Sequence, residues 1–222
     1  MHVLQINKHT LLPLIKPYLP INPVIVEAGA FNGRDTKALT IFWPLATIYA
    51  FEPVPEIFAM LVENTKMIPT VHRYQYALSD NNGTATFYVA ESPKKPGQPY
   101  QAGSLLKPKE RLKLSDIEYK KTIEVQTITL DTWATQFHID RIDFLWLDMQ
   151  GYELNVLKAA PHVLKQVTVI YTEVEFVQAY EGQYLYKEVK EWLEHEGFTM
   201  IARDFPETPT WFFGNALFVR KP

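Results

Sequence analysis

Residues 24–35 read VIVEAGAFNGRD. A run of β-branched residues that meets an acid and then two glycines reads as a buried strand entering a tight turn. In several α/β folds such a turn, placed after the first strand, holds a ligand, and its spacing separates the candidates. Here the spacing is Glu27-x-Gly29-x-x-x-Gly33. Phe31 stands where a dinucleotide turn, G-x-G-x-x-G, has its second glycine, so close approach of a pyrophosphate is disfavoured. No Gly-Lys-Ser/Thr follows, which argues against a phosphate-binding P-loop. An acid at Glu27 points instead to a ligand that carries a cationic amine.

Outward from this stretch, short apolar runs alternate with helical patterns, the signature of βαβ units around a mostly parallel sheet. Strands are expected at 24–28, 46–51, 71–77, 142–147, 167–172, 198–203 and 216–220. Helices are expected at 34–42, 56–66, 130–138, 152–164 with a break at Pro161, and 185–196, with a helical extension over 1–22. Residues 84–90 and 123–128 alternate as surface strands that pair with each other, and the proline-rich stretch 91–108 reads as a long irregular loop. The expected fold is α/β: a Rossmann-like, seven-stranded, three-layer sandwich with its last strand antiparallel and a small inserted β element at 84–128. All of it belongs to one domain, 1–222.

The 222 residues carry a net charge of −3, which gives no basic footprint for nucleic acid. No [DN]-P-P-[YFW] tetrapeptide of nucleic-acid methylation is present either. With no cysteine, disulfides, thiolate metal sites and thiol nucleophiles are excluded. The N-terminal apolar runs are interrupted by Lys8, Pro13 and Lys16 and are too short for a leader or a membrane span. A cytoplasmic location without membrane association is expected, and oligomeric state is left open.

In an open α/β sheet, ligands bind beyond the carboxyl ends of the strands. Those ends are acidic here: Glu27, Glu52, Asp80, Asp148, Glu173 and Glu175. Glu52 ends the second strand, where an acid accepts both ribose hydroxyls of a nucleoside. Asp80, in the turn Ser79-Asp80-Asn81-Asn82-Gly83, either meets an adenine amino group or simply forms the turn. S-adenosylmethionine (SAM) combines an amine, a nucleoside and a sulfonium with no phosphate.

The blocks VEAGAFNG, AFEPVPEIF, YALSDNNGTATFY, VQTITLDTW and IDFLWLDMQGYELNVLKAA, followed by YTEVEF, occur in this order over residues 24–176. In them the chain resembles the FkbM family of SAM-dependent methyltransferases. That family's first block usually begins with Asp, so Glu27 departs from the pattern while keeping the charge. Its D-x-x-G-x-E element stands intact as Asp148, Gly151 and Glu153. The resemblance implies methyl transfer to oxygen, often a hydroxyl of a sugar or natural product. The implied cofactor site takes in Glu27, Gly29, Ala30, Phe31, Asn32 and Gly33, then Glu52 and Pro53. It continues through Ala77, Leu78, Ser79 and Asp80 to Asp148 and Met149.

An alcohol is a poor nucleophile while protonated, so a base or a metal is needed. Asp148 is the first choice for the base, with Glu173 and Glu175, two apart on an extended chain, pointing the same way. Asp148 and Glu173 would also be the donors for a divalent cation, an alternative disfavoured because no histidine joins them. The expected partner is a small-molecule or glycan acceptor. Ser104, Glu153, Tyr180 and Asn215 are the candidates to contact it, with 91–108 as the acceptor-side loop. The competing reading is a catalytically inactive SAM-binding module of the same fold.

Overall fold

The computed structural model describes residues 3–7 and 9–221; Met1, His2, Lys8 and Pro222 lie outside the described residues. The chain begins with a two-residue strand β1 (Leu4–Gln5) and a five-residue helix α1 (Leu11–Ile15), followed by a 3-10 turn over Lys16–Tyr18. The helical extension expected over 1–22 is therefore short. Pro13, Pro17, Pro20 and Pro23 each remove a backbone donor and prevent a longer helix.

The first half of the main sheet follows as β2 (Val24–Ala28), α2 (Arg34–Phe42), β3 (Thr47–Phe51), α3 (Pro55–Thr65) and β4 (Val71–Tyr74). The insertion comprises β5 (Ala77–Leu78), β6 (Gly83–Ser92), β7 (Lys95–Ser104), α4 (Arg111–Leu114) and β8 (Glu118–Ile128). The second half runs α5 (Leu130–Gln136), β9 (Phe144–Leu147), α6 (Glu153–Lys158), α7 (Pro161–Leu164) and β10 (Val169–Glu175). It closes with α8 (Tyr186–His195), β11 (Phe198–Arg203) and β12 (Phe213–Arg220).

The main sheet has the order β1-β11-β12-β10-β9-β2-β3-β4. Its strands from β10 to β4 are parallel, and β12 runs antiparallel to both β10 and β11. That is the expected seven-stranded arrangement with β1 added at the edge beside β11. Apolar residues fill both faces of the central strands: Val26 and Leu145 on one, Ile25 and Phe144 on the other, all fully buried. Burying both faces explains why these strands read as continuous apolar runs rather than alternating ones.

A second, four-stranded sheet has the order β5-β8-β6-β7. The pairing of 84–90 with 123–128 is present as the antiparallel β6–β8 ladder, Phe87 lying opposite Ile123. The stretch 91–108 departs from expectation. Most of it is strand β7, folded back on β6 as a hairpin with Ala90 opposite Tyr100. Prolines are tolerated there because β7 is an edge strand and bonds on one side only. The expected third strand also divides: β4 stops at Tyr74, and Ala77–Leu78 cross to pair with β8 in the second sheet. Val54, Ile57, Ala77, Phe87, Val89 and Val125 form the apolar cluster that seats this sheet above the carboxyl end of the main one.

Candidate active site

Strand order reverses between β2 and β9, the position where open α/β sheets leave a crevice. The crevice floor is stitched from three strand ends. The N–H groups of Gly29 and Ala30 donate to the Phe51 carbonyl, and that of Asp148 donates to the Ala28 carbonyl. Gly29 has φ +81°, and a Cβ there would lie 1.8 Å from the Asp148 carbonyl oxygen. No other residue fits. Gly33 also has φ +81°, and its Cβ would press on Leu61 Cδ1 at 2.9 Å, so it sets how closely α2 meets α3.

Above this floor opens a cleft walled by the ends of the main-sheet strands and by the second sheet, the position where ligand sites of open α/β folds are found. Of the residues expected at the cofactor, Gly29 to Asn32, Glu52, Pro53, Ala77, Leu78, Asp148 and Met149 line it. Glu27, Gly33, Ser79 and Asp80 do not. Asp80 instead accepts a hydrogen bond from the Tyr152 hydroxyl at 2.9 Å, and Tyr152 itself is on the wall. Phe87, Val89, Tyr100 and Leu105 bring the second sheet onto the opposite side.

Glu27 is 1% exposed and accepts the Thr36 hydroxyl at 2.6 Å. Burial pushes its pKa up to about 8, which favours the neutral form near pH 7. The acid that does line the cleft beside the glycine turn is Asp35, in the first turn of α2, where the helix amides favour negative charge. Sequence reasoning passed over it as a helix-start residue; its place two positions after Gly33 was the available signal. Glu52 is buried on the wall, its Oε1 accepting the Val54 N–H at 2.9 Å, and burial raises its pKa to about 7.

At the end of β9, Asp148 looks into the cleft. Desolvation raises its pKa to about 6. Its carboxylate still meets solvent through the open cleft, in contrast to its sealed neighbours, and this access works against the rise. Behind it, Glu173 is buried and lifted well above the ordinary range, first by burial and then by Asp148 and Glu175. Glu175, 2% exposed, is pushed up to about 8 by burial and then by Glu153, and neither of its carboxyl oxygens has a partner. Neither acid is on the cleft wall. The nearby cation is Arg111, buried from α4 with its guanidinium 4.8 Å over the Phe212 ring. Its charge lowers the pKa of both glutamates against the burial that raises them.

The candidates for the acceptor are placed behind the cleft rather than in it. Glu153 accepts the N–H groups of Met149 and Gly151, at 2.7 and 3.3 Å, and so fastens the turn after β9. The Ser104 hydroxyl donates to the Gln150 carbonyl at 2.9 Å. Tyr180 is fully buried, with its hydroxyl 3.2 Å from Gln150 Oε1. Asn215 lies opposite Glu173 in the β10–β12 register, but its carboxamide donates to Asp204 at 2.8 Å. The residue that joins most of these groups, Gln150, was missed by sequence reasoning, as was Arg111. Among the described residues, no three His, Asp or Glu side chains are placed to hold a metal ion. No helix among them is long and apolar enough to cross a membrane.

Residues 27–200 match the model of the methyltransferase FkbM domain. The chain belongs to the FkbM family of methyltransferases, enzymes that take their methyl group from SAM. It is 29% identical over 181 residues to the 2-O-methyltransferase NoeI of Sinorhizobium fredii, covering 81% of this chain and 73% of that one. It is 27% identical over 130 residues to the hexuronic acid methyltransferase AglP of Haloferax volcanii, covering 58% of this chain and 47% of that one. Among solved structures it superposes on magnesium protoporphyrin IX methyltransferase from Synechocystis, crystallised with SAM. That match has a TM-score of 0.54 at 9% identity and covers 96% of this chain and 77% of that one. So distant a likeness speaks for the fold alone.

The cleft suits SAM on its own terms. Gly29 brings bare backbone to the floor, and the acids Glu52 and Asp35 stand on the wall, where the hydroxyl and amine groups of SAM would find hydrogen-bond acceptors.

Proposed function

We propose that the protein transfers the methyl group of SAM to a hydroxyl of a glycan or secondary metabolite. The observation that carries this reading is the placing of a cleft-facing acid, Asp148, in front of two acids buried behind it, Glu173 and Glu175. An O–H nucleophile needs its proton removed, and a carboxylate ionised near neutral pH is a suitable general base. The names of the relatives support the same class: one is a 2-O-methyltransferase and another a hexuronic acid methyltransferase.

Gly29, Glu52, Asp35 and the apolar wall of Val54, Ile57 and Ala77 would hold the cofactor, which supplies an electrophilic methyl carbon on a good leaving group. With SAM and the acceptor bound, Asp148 would take the proton of the attacking hydroxyl at its carboxylate. Because Asp148 reaches solvent through the cleft, the proton is then lost to water. Fixed alignment of the acceptor oxygen accounts for much of the rate in such a displacement, and the second sheet supplies the rigid wall for it.

The test is incubation with SAM and a panel of neutral sugars, uronic acids and hydroxylated metabolites, with S-adenosylhomocysteine (SAH) release and product mass as readouts. A methyl ether on one of them is the expected product. A methyl group found on nitrogen or carbon, or tight SAM binding with no release across the panel, would defeat the reading.

A further inference from the structure

Gln150 is the most connected side chain of the site, although it cannot titrate. Its Nε2 donates to Asp148 Oδ1 at 2.8 Å and to Glu173 Oε2 at 2.7 Å. Its Oε1 lies 3.2 Å from the Tyr180 hydroxyl, and its backbone carbonyl accepts from Ser104 at 2.9 Å. A carboxamide has two donors and one acceptor oxygen, and all are engaged here with the nitrogen toward the two acids. The opposite orientation would set the amide oxygen against the Asp148 carboxylate.

The network continues into the second sheet. Tyr180 lies 3.1 Å from the Tyr119 hydroxyl of β8, and both hydroxyls lie 2.9 Å from the Ala102 carbonyl of β7. Tyr180 has one proton and two carbonyl oxygens within its reach, Ala102 at 2.9 Å and Gln150 Oε1 at 3.2 Å, so its hydroxyl ties the carboxamide to β7 and β8. The backbone is also unusual. Gln150 has φ 54°, followed by Gly151 at φ 95°. A non-glycine residue in the left-handed region is uncommon and persists where its surroundings over-determine it, often beside reacting groups. Among the described residues, Gln150 is the one side chain whose donors hold the Asp148 carboxylate. It also reaches the cleft wall itself.

We infer that Gln150 is a positioning residue for methyl transfer: its carboxamide fixes the Asp148 carboxylate at the cleft and braces it, through Tyr180, against the second sheet. This rests on the reading of Asp148 as proton acceptor in a SAM site.

The inference is tested with two ligands that differ only at the reacting position. Sinefungin carries an amine-bearing carbon where SAM has its methylsulfonium, so its positive charge meets whatever acid faces the methyl group. SAH has no group there. Calorimetry near neutral pH gives the ratio of the two affinities, in which any general loosening of the site cancels. Wild type favours sinefungin. Gln150→Met lowers that preference by about tenfold, the scale of losing one hydrogen bond to a charged group. Tyr180→Phe, which removes the hydroxyl shared by Gln150, Tyr119 and Ala102 and leaves the Gln150–Asp148 bond in place, lowers it by a smaller factor and serves alone if Gln150→Met does not fold. An unchanged ratio in the variants overturns the inference. Failure of the wild-type chain to bind SAH is a different result and overturns the cofactor reading beneath it.

Discussion

Replacing Glu27 by Gln separates two roles that the sequence alone leaves merged. Glu27 sits at the end of β2, yet it is sealed from the cleft and held by the Thr36 hydroxyl, with its pKa moved from 4.5 to about 8. A carboxyl with a raised folded-state pKa contributes stability that is fully present below its unfolded pKa. That contribution is lost as pH rises toward the folded value, because the unfolded chain can release the proton and the native chain cannot. The interval from 4.5 to about 8, at about 1.4 kcal/mol for each pH unit, amounts to a loss of up to about 5 kcal/mol, nearly complete by pH 8. Gln needs no proton and removes this slope. The assay is denaturant unfolding followed by tryptophan fluorescence, at intervals from pH 5 to pH 8. Glu52, Glu153 and Glu175 are raised in the same direction and tilt both proteins alike, so the difference between the two curves isolates Glu27. The variant should lose about 4 kcal/mol less than wild type across the range. Parallel curves, agreeing within about 1 kcal/mol, would mean that Glu27 is ionised in the native protein. It would then be free to act as the counter-ion that Asp35 is argued to be.

Three further outcomes follow from the cleft. Gly29→Ala places a Cβ 1.8 Å from the Asp148 carbonyl at a left-handed φ, so SAH binding should fall below detection by calorimetry; binding within about threefold of wild type would refute the close approach. Glu52→Ala should weaken SAH by about tenfold or more through loss of hydrogen bonds to a charged acceptor, and wild-type-like affinity would count heavily against the ribose assignment. Asp148→Asn should cut turnover by about 10²–10⁴-fold, the range of general-base removal. Wild-type kcat should rise with pH through about 6 as Asp148 ionises; an unaltered rising limb in the variant would exclude Asp148 as its source.

Much of the sheet was legible because its central strands are buried on both faces and leave unbroken apolar runs. The turn from Glu27 to Gly33 was legible because Gly29 and Gly33, both at φ 81°, stand where glycine is the usual choice, whereas Phe31, at φ 48°, shares the left-handed region without any such signal. What the sequence could not show is which way each acid faces. Glu27 and Asp35 are eight residues apart by numbering, and the packing of α2 alone decides that Thr36 captures one while the other borders the cleft. Arg111 lies among Lys107, Lys109 and Lys113 and reads as part of a solvated basic run. Its burial comes from Phe212, a partner distant in sequence that no local period reveals. Gln150 gives no titration or metal-ligand signal, so a search for reactive side chains passes over it. The stretch 91–108 was misjudged because prolines argue against a central strand and are silent about an edge.

The acids around the cleft are divided by solvent access, and in the proposed reaction that division sorts their roles. A base that turns over must release the proton it has taken. Glu173 and Glu175 are sealed and hold their protons tightly, so neither has a direct path to bulk water in this arrangement. Asp148 is the most acidic of the group and is open to the cleft, and it satisfies both halves of the requirement. The sealed glutamates then serve a different end. By staying protonated they spare Asp148 the repulsion of two more negative charges nearby, which would otherwise push its pKa upward. Gln150 lies between Asp148 and Glu173 and keeps them close without direct contact. On this account the cluster is one ionised base with a neutral backing, held in register by a residue that cannot ionise.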